Sequence, residues 1–326
     1  MTSIKTLFLA ALIIPLIACD RSSTVSSNIK KYPPVDVEMV LQKVSDNVVY
    51  VQGKAGIATD NAGFISNAGA VITDEGIVIF DALGSPSLAH KFYKQLREMT
   101  DKPIKKVIVS HYHADHIYGL QVFKELGAEI VAPYGSLDYI NSPLANERLE
   151  ERRFSLEPWV NEQTQIVYPD QLLKADTKFA LGGHNFTLNV LGVAHSDGDL
   201  TMYVEPDGVL FSGDIIFEGR IPFLGDANTR TWLETLQRME TSQVTALIPG
   251  HGPVAKNPNQ AITATRTYLA FMREKMGNAA QDFVAFADAY ANTDWSTFKD
   301  LPAFEEANRR NAFQVYLSME AEMLKD

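Results

Sequence analysis

Four residues able to bind a metal stand within six positions at Ser110-His111-Tyr112-His113-Ala114-Asp115-His116. The run before them, Ile104 to Val109, is short and apolar, as in a strand covered on both faces. A helix start containing Gly119 follows. In an extended turn His111 and His113 point to one side, while Asp115 and His116 fall further along and can serve a neighbouring ion. Neutral imidazoles and carboxylates suit Zn²⁺, and three protein ligands plus water leave an open catalytic position.

Five of the seven histidines fall in such loops, each just after an apolar run. The other loops are Gly192-Val193-Ala194-His195-Ser196-Asp197-Gly198-Asp199, Phe211-Ser212-Gly213-Asp214 and Pro249-Gly250-His251-Gly252. Random placement rarely does this, so these loops read as one metal site assembled from distant segments. His90 and His184 fit neither pattern and read as surface residues. A Walker-type glycine loop, a GxSxG elbow and a CxxC pair are all missing, which leaves metal chemistry as the legible kind.

The segments around these loops alternate between strand and helix. Short β-branched runs between Val37 and Phe80, with turn signals at Asn67-Ala68-Gly69 and Asp74-Glu75-Gly76, predict sheet strands. Helices are expected over Pro86 to Met99, Gln121 to Leu126 and Thr231 to Thr241, and strands over Ala128 to Ala132, Lys178 to Phe211 and Ala246 to Ile248. Ser136 to Val160 reads as a helical insertion or lid. Residues 37–258 form an α/β domain on this reading, and 259–326 a helical extension. That extension carries Phe271, Met272, Phe283, Phe286, Tyr290, Phe313, Tyr316 and Leu317, enough apolar surface to require packing on the metal domain or on a second copy.

The chain opens with Lys5 and an apolar run from Leu7 to Ile17, too short to span a bilayer comfortably, and reads as a targeting segment. The run ends in Leu16-Ile17-Ala18-Cys19, which resembles the lipobox of bacterial lipoproteins. Residues 1–18 are then a signal peptide, and Cys19, the only cysteine, is the lipidation site. Residues 19–36 serve as a flexible tether at the periplasmic face of the membrane. Asp20 resembles an inner-membrane retention signal. A net charge of -11 argues against nucleic acid as partner and leaves a small-molecule substrate.

The ordered set HxHxDH, His, Asp, His resembles the metallo-β-lactamase superfamily over roughly residues 45 to 255. The resemblance implies an α/β fold, the αββα sandwich, with metals at one edge of two facing sheets. It implies two Zn²⁺ per chain: His111, His113 and His195 on the first, Asp115, His116 and His251 on the second, and Asp214 bridging them. Asp81 matches the family's early Asp that orients the metal loop. Aspartate at position 214 is similar to glyoxalase II, whereas Leu224-Gly225-Asp226-Ala227-Asn228 followed by Trp232 looks like the substrate loop of class B β-lactamases. Asn228 is thus either a substrate contact or a helix cap, as Asp226 is. Arg220 is a candidate partner for a substrate carboxylate. The whole arrangement most resembles periplasmic metallohydrolases linked to quinoprotein and sulfur-oxidation systems.

The expected activity is hydrolysis of a thioester, lactone or amide bond by a metal-bridging hydroxide, with Asp115 orienting the water. Two alternatives stand beside it: a persulfide dioxygenase using one iron, and a non-catalytic metal-bearing module of a membrane-attached relay.

Overall fold

The computed structural model describes residues 32–239 and 241–324. The expected signal segment, Cys19, Asp20 and the tether as far as Lys31 lie outside the described residues. Among those described, no helix is long and apolar enough to cross a membrane.

Two mixed sheets face each other. The first has seven strands in chain order: β1 (Leu41–Lys43), β2 (Val48–Val51), β3 (Ala68–Ile72), β4 (Ile77–Phe80), β5 (Ile104–Ile108), β6 (Glu129–Pro133) and β7 (Gln171–Leu173). Pairing is antiparallel from β1 to β4 and parallel from β4 to β7. The second sheet comprises β8 (Thr177–Leu181), β9 (His184–Gly192), β10 (Asp199–Glu205), β11 (Val209–Phe217) and β12 (Ala246–His251), in reverse order from β12 to β8. Its strands pair antiparallel except β11 with β12.

The inner faces meet through Val48, Tyr50, Val78, Phe80, Ile108, Phe186, Leu188, Met202, Val204, Phe211 and Ile248, all buried. Helices cover the outer faces. On the first sheet lie α1 (Pro86–Met99), α2 (Ala114–Ile117), α3 (Leu120–Glu125), α4 (Ser136–Ile140) and α5 (Pro143–Ser155). Helix α1 shows why such segments form: Ser85 caps it by accepting from Leu88 N, Pro86 opens it, and Leu88, Phe92 and Leu96 fall at four-residue spacing on the buried face. On the second sheet lie α6 (Thr229–Arg238) and three C-terminal helices, α7 (Pro258–Gln281), α8 (Phe286–Asn292) and α9 (Phe304–Met323). This is the expected αββα sandwich with a C-terminal helical extension.

Four sequence expectations change in detail. His184 is buried rather than on the surface, its Nε2 lying 3.1 Å from Asp207 Oδ2. It is the first residue of β9, beside an aspartate that also accepts from Ser45 of the first sheet's edge, and hydropathy alone does not mark that position. The expected tether is packed in its last residues, because Val35 is buried and Trp159 Nε1 donates to Pro34 O. In the tail, Met272 and Tyr316 are buried as expected, but Phe283 is 94% exposed and Phe313 and Leu317 face outward. Phe283 falls in the break after α7, with φ at 55°, and so belongs to neither helix face. Helix α6, finally, begins at Thr229, not Thr231, because Asn228 caps it: Thr231 N donates to Asn228 Oδ1 at 3.1 Å.

Candidate metal centre

The ends of β4, β5 and β12, the outer half of β11 and the loop between β9 and β10 converge on one edge of the sandwich. Each donor owes its place to one of them. His111, His113, Asp115 and His116 follow β5, His195 follows β9, and Asp214 and His251 lie within β11 and β12. The seven expected ligands thus come together although they span Pro-, Gly- and helix-containing segments more than a hundred residues apart.

Their donor atoms form two groups. His113 Nδ1 lies 3.0 Å from His111 Nε2 and 3.1 Å from His195 Nε2. Asp214 Oδ2 completes that group at 3.3 Å from His195 Nε2 and 3.9 Å from His111 Nε2. In the second group Asp115 Oδ2 lies 3.3 Å from His251 Nε2 and 3.6 Å from His116 Nε2. Asp214 reaches this group as well, Oδ1 at 3.2 Å from His116 Nε2 and Oδ2 at 3.3 Å from His251 Nε2. Nitrogen or oxygen donors arranged tetrahedrally at 2.0–2.1 Å from zinc stand about 3.3 Å apart, so the spacing is that of ligands around an ion.

Orientation supports the same fit. His116 Nε2 and Asp214 Oδ1 are buried and face each other without the alignment of a hydrogen bond, and neither is hydrogen-bonded to any other described residue. Both are aimed at a shared point. Buried polar atoms left this way cost about 1–3 kcal/mol each, and a cation satisfies them together.

For three of the rings, His111, His116 and His251, the far side is fixed by the protein. Asp81 accepts from Ser110 N at 2.7 Å and Ser110 Oγ at 2.8 Å, and lies 2.9 Å from His116 Nδ1. Ser110 Oγ, having donated to Asp81, is free to accept from His111 Nδ1 at 2.9 Å. His251 Nδ1 donates to Ile65 O at 2.7 Å. Each of these contacts puts the proton on Nδ1 and turns the Nε2 lone pair inward, which is the tautomer a metal requires. Asp81 holds its position with φ at 61°, a strained backbone state for a residue with a side chain.

The electrostatics divide in the same way. Burial drives His111 well below its ordinary pKa and His195 down to about 3, so both are neutral. Burial also opposes the charge on His116, but Asp214, Asp115 and Asp81 outweigh it and hold the ring well above the usual range. Asp214 in turn is held well below the usual carboxylate range by His251, His116 and His195 despite its burial. The site therefore concentrates negative charge that favours a cation.

Packing leaves no slack. A Cβ on Gly250 would fall 1.9 Å from Asp214 Oδ1, and one on Gly213, which has φ at 53°, would fall 2.4 Å from Ser110 Cβ. Phe217 stacks on His251 at 5.1 Å, and Trp232 meets His195 edge-on at 5.2 Å while its Nε1 donates to Ile215 O. Tyr139 of α4 meets His113 edge-on at 6.4 Å, so the insertion forms a wall of the site.

Two supporting residues had no reading of their own in the sequence. Asn67, expected in a turn, is buried and braces the His251 loop. Its Nδ2 donates to Pro249 O at 2.8 Å and Gly252 O at 2.9 Å, and its Oδ1 accepts from Gly53 N. Asp199 accepts from Ser196 N and Ser196 Oγ, closing the turn behind His195, and burial pushes its pKa up to about 7. The start of a strand was the available signal for both: Asn67 directly precedes β3 and Asp199 is the first residue of β10.

Of the two substrate-side candidates, Asn228 spends its side chain on the α6 cap, and its N–H donates to Ala194 O at 2.9 Å. Arg220 is half-buried beside the donors, its Cζ 6.0 Å from the Phe217 ring. Its one hydrogen bond among the described residues runs from Nε to Ile221 O at 3.4 Å.

Comparison with known proteins agrees with this geometry. A metallo-beta-lactamase type 2 of Elizabethkingia meningoseptica is 26% identical over 223 residues, covering 66% of this chain and 79% of that protein. A linear primary-alkylsulfatase of Pseudomonas is 22% identical over 62% of this chain but only 44% of its own length. An acyl-coenzyme A thioesterase of Gallus gallus is 27% identical over 44% of this chain and 55% of its own. These relatives are hydrolases. Among solved structures, a metallo-beta-lactamase from Pontibacter korlensis superposes with a TM-score of 0.57 at 20% identity, covering 72% of this chain and 99% of that one. The sec-alkyl sulfatase PisA1 superposes with a TM-score of 0.66 at 17% identity, over 86% of this chain and 50% of that one. Residues 61–251 match the family model of the metallo-beta-lactamase superfamily, and the chain belongs to that superfamily.

Proposed function

We propose that the chain is a hydrolase using two zinc ions to cleave a carbonyl-containing bond: a thioester, a lactone or an amide such as a β-lactam. The observation that carries this reading is the pair of donor groups sharing Asp214. His111, His113 and His195 would hold one ion, Asp115, His116 and His251 the other, and Asp214 both. When bound, such ions lower the pKa of a water to about 7 and polarise the substrate carbonyl. The chain supplies the rest. Asp115, the most exposed of the donor carboxylates at 22%, orients the attacking water and passes its proton on. Asp81 and Ile65 O keep the imidazoles in register, while Phe217 and Trp232 exclude water from the sheet side of the site.

The complete second group, Asp115, His116 and His251, favours this reading over a one-iron persulfide oxygenase or a non-catalytic relay module. Names among the relatives, which include a β-lactamase and a thioesterase, point the same way. Metal analysis of the purified protein is expected to give two zincs per chain, with turnover on a panel of β-lactams, lactones and glutathione thioesters. One tightly bound iron with oxygen-dependent persulfide oxidation would overturn the proposal.

Arg220 is available to pair with a substrate anion, because it has no carboxylate at ion-pair distance among the described residues, and two dications would make an unpaired guanidinium there costlier still. Arg220→Ala is therefore expected to raise KM for 4-nitrophenyl hemiglutarate, which carries a free carboxylate. The rise should be about 10–100-fold, the worth of a charged hydrogen bond. The neutral 4-nitrophenyl butyrate should be nearly unaffected. Equal losses on both esters would remove the anion role.

Attachment to the periplasmic face of the membrane through Cys19 completes the reading. Cys19→Ser is expected to release the protein to the soluble fraction or leave it unprocessed. Fully cleaved Ser variant recovered with membranes would contradict this.

A further inference from the structure

We propose that the C-terminal helices set the position of the Arg220 loop, and that Asn311 of α9 is the positioning residue through which they do so. The segment from Gly219 to Asn228 joins β11 to α6 without regular structure. One of its ends carries Arg220, and the other is tied to the His195 loop by Asn228 N donating to Ala194 O. A loop without a ladder of its own needs its backbone groups bonded elsewhere.

Between those ends three backbone groups are bonded to the tail. Ile221 N donates to Pro302 O at 3.0 Å, Asn311 Nδ2 donates to Pro222 O at 2.7 Å, and Leu224 N donates to Asn311 Oδ1 at 3.0 Å. Arg310 lies over the Phe223 ring at 5.1 Å. Where the loop ends, Arg273 of α7 donates to Thr229 Oγ1 at 2.9 Å and pairs with Glu322 of α9, which also pairs with Arg230.

Asn311 is fully buried, and its amide is spent on the loop and on one brace: Nδ2 also donates to Tyr268 Oη at 3.0 Å. A leucine there would pack α7 against α9 as well, and asparagine is a poorer helix former. What the amide adds is a fixed register for Pro222 and Leu224, two and four residues from Arg220. Asn308, one turn earlier and equally buried, makes the contrast. Among the described residues its side chain bonds only within the tail, to Tyr268 Oη at 2.9 Å and Tyr290 Oη at 3.1 Å.

The test compares the two asparagines in the zinc-loaded full chain. Asn311→Ala is expected to speed hydrogen exchange in residues 219–228 about tenfold, as loss of buried loop bonds implies. On the hydrolase reading it should also raise KM for 4-nitrophenyl hemiglutarate by about as much, with kcat and zinc content near wild type. Asn308→Ala should lower the melting temperature comparably and leave both loop exchange and KM unchanged. Should Asn311→Ala fail to fold, Asn311→Asp keeps the acceptor for Leu224 N, removes a donor to Pro222 O and should loosen the loop in the same direction. Equal loop exchange in the Asn311 and Asn308 variants would overturn the proposal. A wild type that turns over no ester would count against the hydrolase reading alone, since exchange decides the loop's attachment independently.

Discussion

Asp214→Ala is expected to lose at least one of two bound metal ions and to cut turnover by orders of magnitude. No other side chain addresses both donor groups so evenly. Its Oδ1 lies 3.2 Å from His116 Nε2, and its Oδ2 lies 3.3 Å from both His195 and His251. Two dications about 4 Å apart repel by roughly 16 kcal/mol at an effective dielectric of 20, and a carboxylate shared between them is what offsets this. Alanine removes that offset and leaves Asp115 as the one carboxylate among the donors. Elemental analysis reads the first effect and initial rates the second. Asp197→Ala supplies the contrast: Asp197 follows His195 by two residues but is exposed and outside both donor groups, so its metal content should stay near wild type. Two zincs per chain in Asp214→Ala with unimpaired hydrolysis would contradict the bridging role.

The donors were legible because each falls just after an apolar run and carries a side chain with little reason to be there otherwise. Asp81 was legible for the same reason, at the end of β4. What escaped was burial of polar residues whose letters look like surface. Asp197 and Asp199 are the same residue type two positions apart, yet Asp199 is 1% exposed and closes the turn behind His195. Asn67 reads as a turn former and proves to be a brace between two loops nearly two hundred residues apart, a relation that exists only in three dimensions. Asn311 carries no signal in the sequence, since a polar residue on a helix is ordinarily solvated. In α9 its face is covered by the loop it holds, and helical periodicity cannot say which stripe a third element will cover.

Removing residues 259–326 is expected to yield aggregated or unfolded protein rather than a smaller active enzyme. The tail does not sit beside the metal domain's core but completes it. Leu269, Met272, Met276, Phe298 and Val315 share one buried cluster with Ile215, Phe217, Leu224, Trp232 and Leu236. Each such side chain uncovered forfeits about 1.5–3 kcal/mol, against a total stability of about 5–15 kcal/mol for a domain, so exposing the outer face of the second sheet exceeds the margin. Two of the newly exposed residues are those that pack on metal donors, Phe217 on His251 and Trp232 on His195. The same deletion removes Pro302 and Asn311 from the Arg220 loop. Solubility, near-ultraviolet circular dichroism and zinc content of the truncated protein read the loss at three levels. A soluble, monodisperse 1–258 fragment with two zincs and wild-type turnover would show that the helices are an appendage, and would take the loop's attachment down with it.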